Sequence, residues 1–357
     1  MTARIMIMAG GTGGHIFPGL AVAARLSDAS VSWLGSAQGL ENQLVPEQGY
    51  ELFRLNIKGL RGKGLTGWIL APFRVLKAVL AARKIFRSWR PGCVLSMGGY
   101  AAGPGGLAAW LSGIPLVVHE QNRIAGLTNK VLARFAKSIF EGFPDTFKSQ
   151  PKVRYCGNPV RAVISGLPHP KQRLEGRDGP LRVLVLGGSQ GAAALNRLVP
   201  EAVAMAATHD AIEVRHQAGL GHAEATLNRY RQFGIDAQVS EFIKHMEDAY
   251  GWADLLVCRA GALTIAEISA AGVAAILVPF PFAVDDHQTR NAEYLQQAGA
   301  ARILAEAGLT AAGLSKLIAG LCGNRERLQQ MAVAARDLAA TDAAEQVANR
   351  CLELARS

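Results

Sequence analysis

The sequence lacks several features that would have named its class at once. It has no C-x-x-C pair, and its five cysteines, at positions 93, 156, 258, 322 and 351, are scattered. That excludes a zinc framework or a disulfide scaffold and reads as reduced thiols in a cytosolic protein. No Walker loop is present, because Gly62-Lys63-Gly64 fails the G-x-x-x-x-G-K-[ST] pattern. No Asp-x-Asp motif occurs, so neither a metal nor another cofactor is expected. The apolar residues 5–9 run into Gly10-Gly11 too soon for a secretory leader. The uncharged stretch 91–118 carries seven glycines and three prolines, which rules out a continuous membrane helix.

Acidic residues are missing from another stretch. Residues 52–119 hold ten Lys and Arg and no Asp or Glu. The imbalance extends further: residues 1–160 carry 19 basic against 7 acidic side chains, and residues 161–357 carry 19 against 21, within a net charge of +10. A basic half beside a neutral half implies that one domain faces something anionic, such as a membrane, a phosphorylated substrate or nucleic acid. Nucleic acid is disfavoured, because there is no aromatic stacking platform and no recognised binding motif. Within the acid-free stretch, apolar residues Leu60, Leu65, Trp68, Ile69, Phe73, Leu76, Val79 and Leu80 interleave with the charges. Ile69, Phe73, Leu76 and Leu80 follow helical spacing and predict a membrane-docking stripe on an anionic leaflet. Part of that helix must also cover a sheet.

What is present is a repeated alternation of short apolar runs and helical patterns. Strands are expected at 4–8, 31–34, 93–96, 116–119 and 138–140, then at 182–186, 212–216, 255–258 and 275–279. Helices are expected between them, for example at 18–26 and 314–340, with a helical tail at 342–355. Continuous apolar strands between helices imply parallel sheets covered on both faces. Two such sets predict two doubly wound α/β domains, 1–158 and 159–339, with the helix at 340–357 packing back on the first.

Three strand ends enter glycine-rich turns: Gly10-Gly11-Thr12-Gly13-Gly14-His15, Met97 through Gly106, and Gly187-Gly188-Ser189-Gln190-Gly191-Ala192. A glycine turn that opens a helix presents backbone N–H groups and the positive end of the helix dipole, which suits phosphate. Dinucleotide binding fails its own test. The carboxylate expected at the end of the second strand is absent from both Leu34-Gly35-Ser36 and Arg215-His216-Gln217. Thr264 and Glu267, after the strand at 255–258, have capping-box spacing; the competing reading is a pyrophosphate at the helix start with Glu267 on a ribose. Asp286-His287-Gln288, with Asn291, places polar groups above the same sheet edge, where sugar hydroxyls need neutral partners.

This motif series, together with His119-Glu120-Gln121-Asn122 and Gly157-Asn158-Pro159-Val160-Arg161, resembles the MurG family of peptidoglycan N-acetylglucosaminyltransferases over nearly the whole chain. The resemblance implies the α/β GT-B fold, two doubly wound Rossmann-like domains facing across a cleft. It implies an inverting hexosyltransferase that moves GlcNAc from UDP-GlcNAc to the 4-hydroxyl of polyprenyl-pyrophosphoryl-MurNAc-pentapeptide, at the cytoplasmic face of the inner membrane. Donor contacts are then expected from Ile243 near Met246, Arg161, Ser189, Ala262, Leu263, Thr264, Ile265, Ala266, Glu267 and Gln288, with Asn291 assisting. Thr12, Gly13, Gly14 and Asn122 are expected to close over the donor. Gly98, Gly99, Tyr100, Gly103 and Glu120 are further expected contacts to donor or acceptor. His287 departs from the family pattern, which favours Gln288 as the sugar ligand. His15 is the expected catalytic base, because a helix N-terminus disfavours imidazolium, with Glu120 in reserve. Rival readings are a UDP-sugar 2-epimerase, a sugar transferase to diacylglycerol, and a nucleotide-binding scaffold.

Overall fold

The computed structural model describes residues 2–57, 71–188, 190–207, 211–283 and 286–356. The chain divides into two compact units, Met1–Arg161 with Ala340–Ser357, and Ala162–Ala339. The first unit runs β1 (Ala3–Ala9), α1 (Gly13–Ala23), β2 (Ala29–Ser36), α2 (Glu41–Glu47), β3 (Glu51–Leu55), α3 (Ala71–Trp89), β4 (Cys93–Gly98), α4 (Ala102–Leu111), β5 (Leu116–Glu120), α5 (Leu127–Leu132), β6 (Ser138–Glu141) and β7 (Val153–Tyr155). Its seven strands pair in parallel in the order β3-β2-β1-β4-β5-β6-β7.

The apolar run in β1 is continuous because both faces of the strand are covered. Ile5 and Ile7 pack into one buried cluster, and Met6 and Met8 into the other. Pro18 does not start the first helix, as the sequence pattern suggests. It lies inside α1, which already begins at Gly13.

The second unit continues with α6 (Ala162–Ser165), α7 (Pro170–Arg173), β8 (Leu181–Leu186), α8 (Ala193–Ala206), β9 (Ile212–Gln217), α9 (Ala223–Gln232), β10 (Ala237–Ser240), α10 (Met246–Trp252), β11 (Leu255–Cys258), α11 (Ala262–Ala271), β12 (Ala274–Leu277), α12 (His287–Gln297), β13 (Ala301–Ile303), α13 (Ala311–Cys322) and α14 (Arg325–Asp337). Its six parallel strands are ordered β10-β9-β8-β11-β12-β13. The helical pattern at 314–340 is two helices rather than one. The chain breaks at Gly323-Asn324, and the Asn324 side chain accepts the Arg327 N–H at 2.8 Å to cap α14. The last helix, α15 (Ala343–Arg356), belongs to the first unit. Its Val347, Ala348 and Cys351 lie in the same core as Ile5, Trp33 and Leu95.

Four strands have no counterpart in the sequence reading: β3, β7, β10 and β13. Each is the edge of its sheet. An edge strand is half-wet, so its sequence mixes polar and apolar residues and carries no continuous apolar signal. All five cysteines are buried, and none is in a disulfide.

Candidate active site

In both sheets the strand order reverses between the two central strands, β1 and β4 in the first and β8 and β11 in the second. Loops that leave the carboxyl ends of such strands diverge and open a crevice. In the first unit these are the loops into α1 and α4, and they touch. Gly99 has φ +92°, and a Cβ there would lie 2.5 Å from the Gly10 carbonyl oxygen. At Gly98, φ +100°, a Cβ would lie 3.0 Å from both Nδ1 and Cε1 of His15. The His15 ring therefore rests on the bare backbone of Gly98, a position only glycine suits. The side chain of Thr12, the N-cap of α1, makes no capping bond. Thr12 and Gly14 are exposed, and Gly13 and His15 are half-buried.

His15 is held from one side by a line of hydrogen bonds. Its Nδ1 lies 3.0 Å from the Gln121 side-chain oxygen. The Gln121 amide nitrogen lies 3.1 Å from His119 Nδ1 and 3.1 Å from the His119 carbonyl. His119 Nε2 lies 3.0 Å from the Gly157 carbonyl. His119 and Gln121 are buried. Burial pulls the His119 pKa down to about 4, so its ring is neutral at physiological pH. Asn158 fixes the backbone beneath, donating to the Gln121 carbonyl at 3.0 Å.

Glu120 does not stand ready as a reserve base. Its buried carboxylate accepts from Asn122 N–H at 2.9 Å, Asn122 Nδ2 at 3.3 Å, Gly126 N–H at 3.1 Å and Asn129 Nδ2 at 2.9 Å. Four donors occupy its lone-pair directions, so it braces the turn 120–126 and with it Asn122. Glu41, which has no signal in the sequence, has the same kind of role. It is fully buried and accepts from Gly11 N–H and Ser36 N–H, each at 2.9 Å, and from the Ser36 hydroxyl at 2.6 Å. It thereby ties the first glycine loop to the end of β2. Tyr100 is exposed, and Gly103 has open space where a side chain would begin, with only Thr128 within 4 Å. Arg161 lies with its guanidinium 5.4 Å from the Phe17 ring on α1.

In the second unit the loop after β8 leads to α8, and the loop after β11 leads to α11. Ser189 lies outside the described residues. Gly191, φ +75°, packs against the Ala218 carbonyl, where a Cβ would come within 2.5 Å. Neither α8 nor α11 has a side-chain N-cap bond. The capping-box reading of Thr264 and Glu267 is therefore incorrect: Gly261 is the N-cap, and Thr264 lies inside the first turn. Glu267 is buried, and its carboxylate accepts the Tyr250 hydroxyl at 3.0 Å. Ala262 and Ile265 face the core, and Leu263, Thr264 and Ala266 are half-buried. Ile243 is half-buried in the loop after β10, and Met246 is buried at the start of α10.

Gln288 braces the same loops. Its side-chain oxygen accepts from Ala260 N–H at 3.2 Å and Phe280 N–H at 3.0 Å. Two backbone donors can only meet the oxygen, so the amide nitrogen is the outward end, and among the described residues it has no hydrogen bond. Asn291 has no exposed surface, and its amide donates to the Ala260 carbonyl at 3.3 Å, beside the loop that Gln288 braces. Arg259 holds the neighbouring turn by donating to the Val278 carbonyl at 3.2 Å and pairing with Glu306.

Known proteins match this arrangement along its length. Residues 5–141 fit the glycosyltransferase family 28 N-terminal domain, and residues 182–347 fit the glycosyltransferase family 28 C-terminal domain. The chain belongs to glycosyltransferase family 28. Within family 28, it is 54% identical to the UDP-N-acetylglucosamine–N-acetylmuramyl-(pentapeptide) pyrophosphoryl-undecaprenol N-acetylglucosamine transferase of Aeromonas hydrophila, over 99% of this chain and 98% of that protein. It is 51% identical to the transferase of the same name from Pseudomonas fluorescens, over 99% of each. It superposes on the crystal structure of MurG of Acinetobacter baumannii with a TM-score of 0.84, at 42% identity and over 98% and 99% of the two chains. A UDP-GlcNAc 2-epimerase from Neisseria meningitidis shares the fold at a TM-score of 0.67 but only 12% of the sequence.

Proposed function

We infer that the chain transfers N-acetylglucosamine from UDP-N-acetylglucosamine to N-acetylmuramyl-(pentapeptide)-pyrophosphoryl-undecaprenol, forming the disaccharide-linked lipid of peptidoglycan synthesis. The observation that carries this is identity of about half the residues along the full length of transferases with this activity. The epimerase shares only the fold. The test is to incubate the protein with UDP-N-acetylglucosamine alone and then with a short-chain muramyl lipid. Release of UDP only in the second case is expected; an epimer formed in the first would reject the assignment.

The site residues follow as a proposal. The first-turn amides of α11, at Ala262, Leu263 and Thr264, take the pyrophosphate, helped by the helix dipole. Ser189 joins them, Ile243 meets the uracil, and Arg161 neutralises charge on the leaving UDP. Glu267, oriented by Tyr250, takes the ribose hydroxyls. The outward amide of Gln288 donates to the sugar. From the first unit, Thr12, Gly13, Gly14 and Asn122 contact the donor. His15 accepts the proton of the attacking 4-hydroxyl, which displaces UDP from the anomeric carbon in one step and inverts it. His15→Ala is expected to lower kcat by roughly 10²–10⁴-fold; near-normal turnover would exclude the role.

The acceptor is membrane-borne, and we assign docking to α3. Phe73, Leu76 and Leu80 are 71%, 56% and 56% exposed, while Ala78, Val79, Ala82 and Phe86 of the same helix are buried. The helix thus has two apolar faces, and only one is used by the core. Ile69, the fourth member of the stripe, lies outside the described residues. Arg74, Lys77, Lys84 and Arg87 are exposed along it, in keeping with an anionic leaflet on the cytoplasmic side. No helix among the described residues is long and apolar enough to cross a membrane.

A further inference from the structure

We propose that Gln121 is a positioning residue that fixes His15 in the tautomer with its proton on Nδ1 and its lone pair on Nε2. The inference rests on the reading of His15 as the base. It is read from the far end of the hydrogen-bonded line. The Gly157 carbonyl can only accept, so His119 must carry its proton on Nε2. His119 is buried and neutral, so its Nδ1 is a bare acceptor. Gln121 therefore turns its NH₂ toward His119, where it meets both that nitrogen and the His119 carbonyl. The reversed amide would set its oxygen against two acceptors at once. With the nitrogen so committed, the Gln121 oxygen faces His15 Nδ1 at 3.0 Å, and that nitrogen must be the donor.

The consequence is a polarity set by a backbone carbonyl and passed through two buried side chains to the reacting ring. The Nε2 that remains is the one that can take a proton from a substrate hydroxyl. Free neutral histidine prefers its proton on Nε2, so the unaided ring would mostly sit in the wrong form. Gln121 is neutral, so it orients the ring without adding a charge beside it. Gly98 supplies the other constraint, since a ring lying on bare backbone has little room to turn over.

The test is a two-bond proton–nitrogen spectrum of the full chain labelled with ¹⁵N-histidine, at a pH where His15 is neutral, with the His15 signals assigned by their loss in His15→Gln. The expected result is a protonated Nδ1 and a bare Nε2 in the unmodified protein. A proton on Nε2 there would overturn the inference without any variant being needed. In Gln121→Met, which keeps the volume but removes both polar ends, the His15 signals should move toward the Nε2–H form. kcat should fall about tenfold or more while KM for UDP-N-acetylglucosamine stays within about threefold. Unmoved signals in that variant would also overturn it. If the tautomer is as expected but His15→Ala turns over normally, the base role falls and the assignment of the ring stands.

Discussion

At the scale of single residues, the chain spends its buried polar groups on holding things still. His216 illustrates this in the second unit. It is buried between the Tyr230 hydroxyl at 3.0 Å and the Asn196 side chain at 3.1 Å, and Asn196 in turn donates to the Ala218 carbonyl at 2.9 Å beneath Gly191. Burial pulls its pKa down to about 3. The unfolded chain takes up a proton near pH 6.5 that the folded state refuses, so the contribution is complete above that pH and declines as pH falls toward 3. The slope is about 1.4 kcal/mol per pH unit. His119 adds a similar slope down to about pH 4. Urea unfolding at pH 7, 6 and 5 should show His216→Gln with a shallower pH dependence than the parent chain, and an unchanged slope would contradict this account.

At the scale of elements, the central strands and the glycine turns that follow them were legible because double burial leaves continuous apolar runs and glycine marks the turns. The edge strands were not, for the same physical reason in reverse. The capping-box alternative for Thr264 and Glu267 does not hold because spacing cannot tell which residue begins the helix; Gly261 begins it, and Tyr250, seventeen positions before Glu267, donates to the carboxylate. Glu41 and the Gln121–His119 line were illegible as roles because each acts on a loop far away in sequence. Two element-level changes are informative. Gly98→Ala should destabilise by about 1–3 kcal/mol through its positive φ and should also lower kcat by moving the ring it supports. In a His15→Ala background the further loss of turnover should vanish, and equal losses in both backgrounds would separate Gly98 from His15. On α3, Phe73→Glu should abolish co-sedimentation with anionic vesicles while leaving solution turnover of a short-chain acceptor in place. Equal binding of parent and variant to neutral and anionic vesicles would remove the docking face.

At the scale of the whole molecule, each sheet has its own core, yet the first unit is discontinuous in sequence. Val347, Ala348 and Cys351 of α15 fill the same buried cluster as Ile5, Ile7, Val117 and Phe140. Deleting residues 340–357 should therefore speed hydrogen exchange across the first sheet and leave the second sheet protected; uniform loss of protection in both would show that the units do not stabilise independently.

That arrangement also reverses the usual order of events on the ribosome. The second unit, Ala162–Ala339, is one uninterrupted stretch and can collapse as soon as it emerges. The first unit, although translated earlier, waits with the face of β1 and β4 that α1 and α15 share only partly covered until α15 leaves the exit tunnel. During synthesis it is the older half of the polypeptide that is completed last.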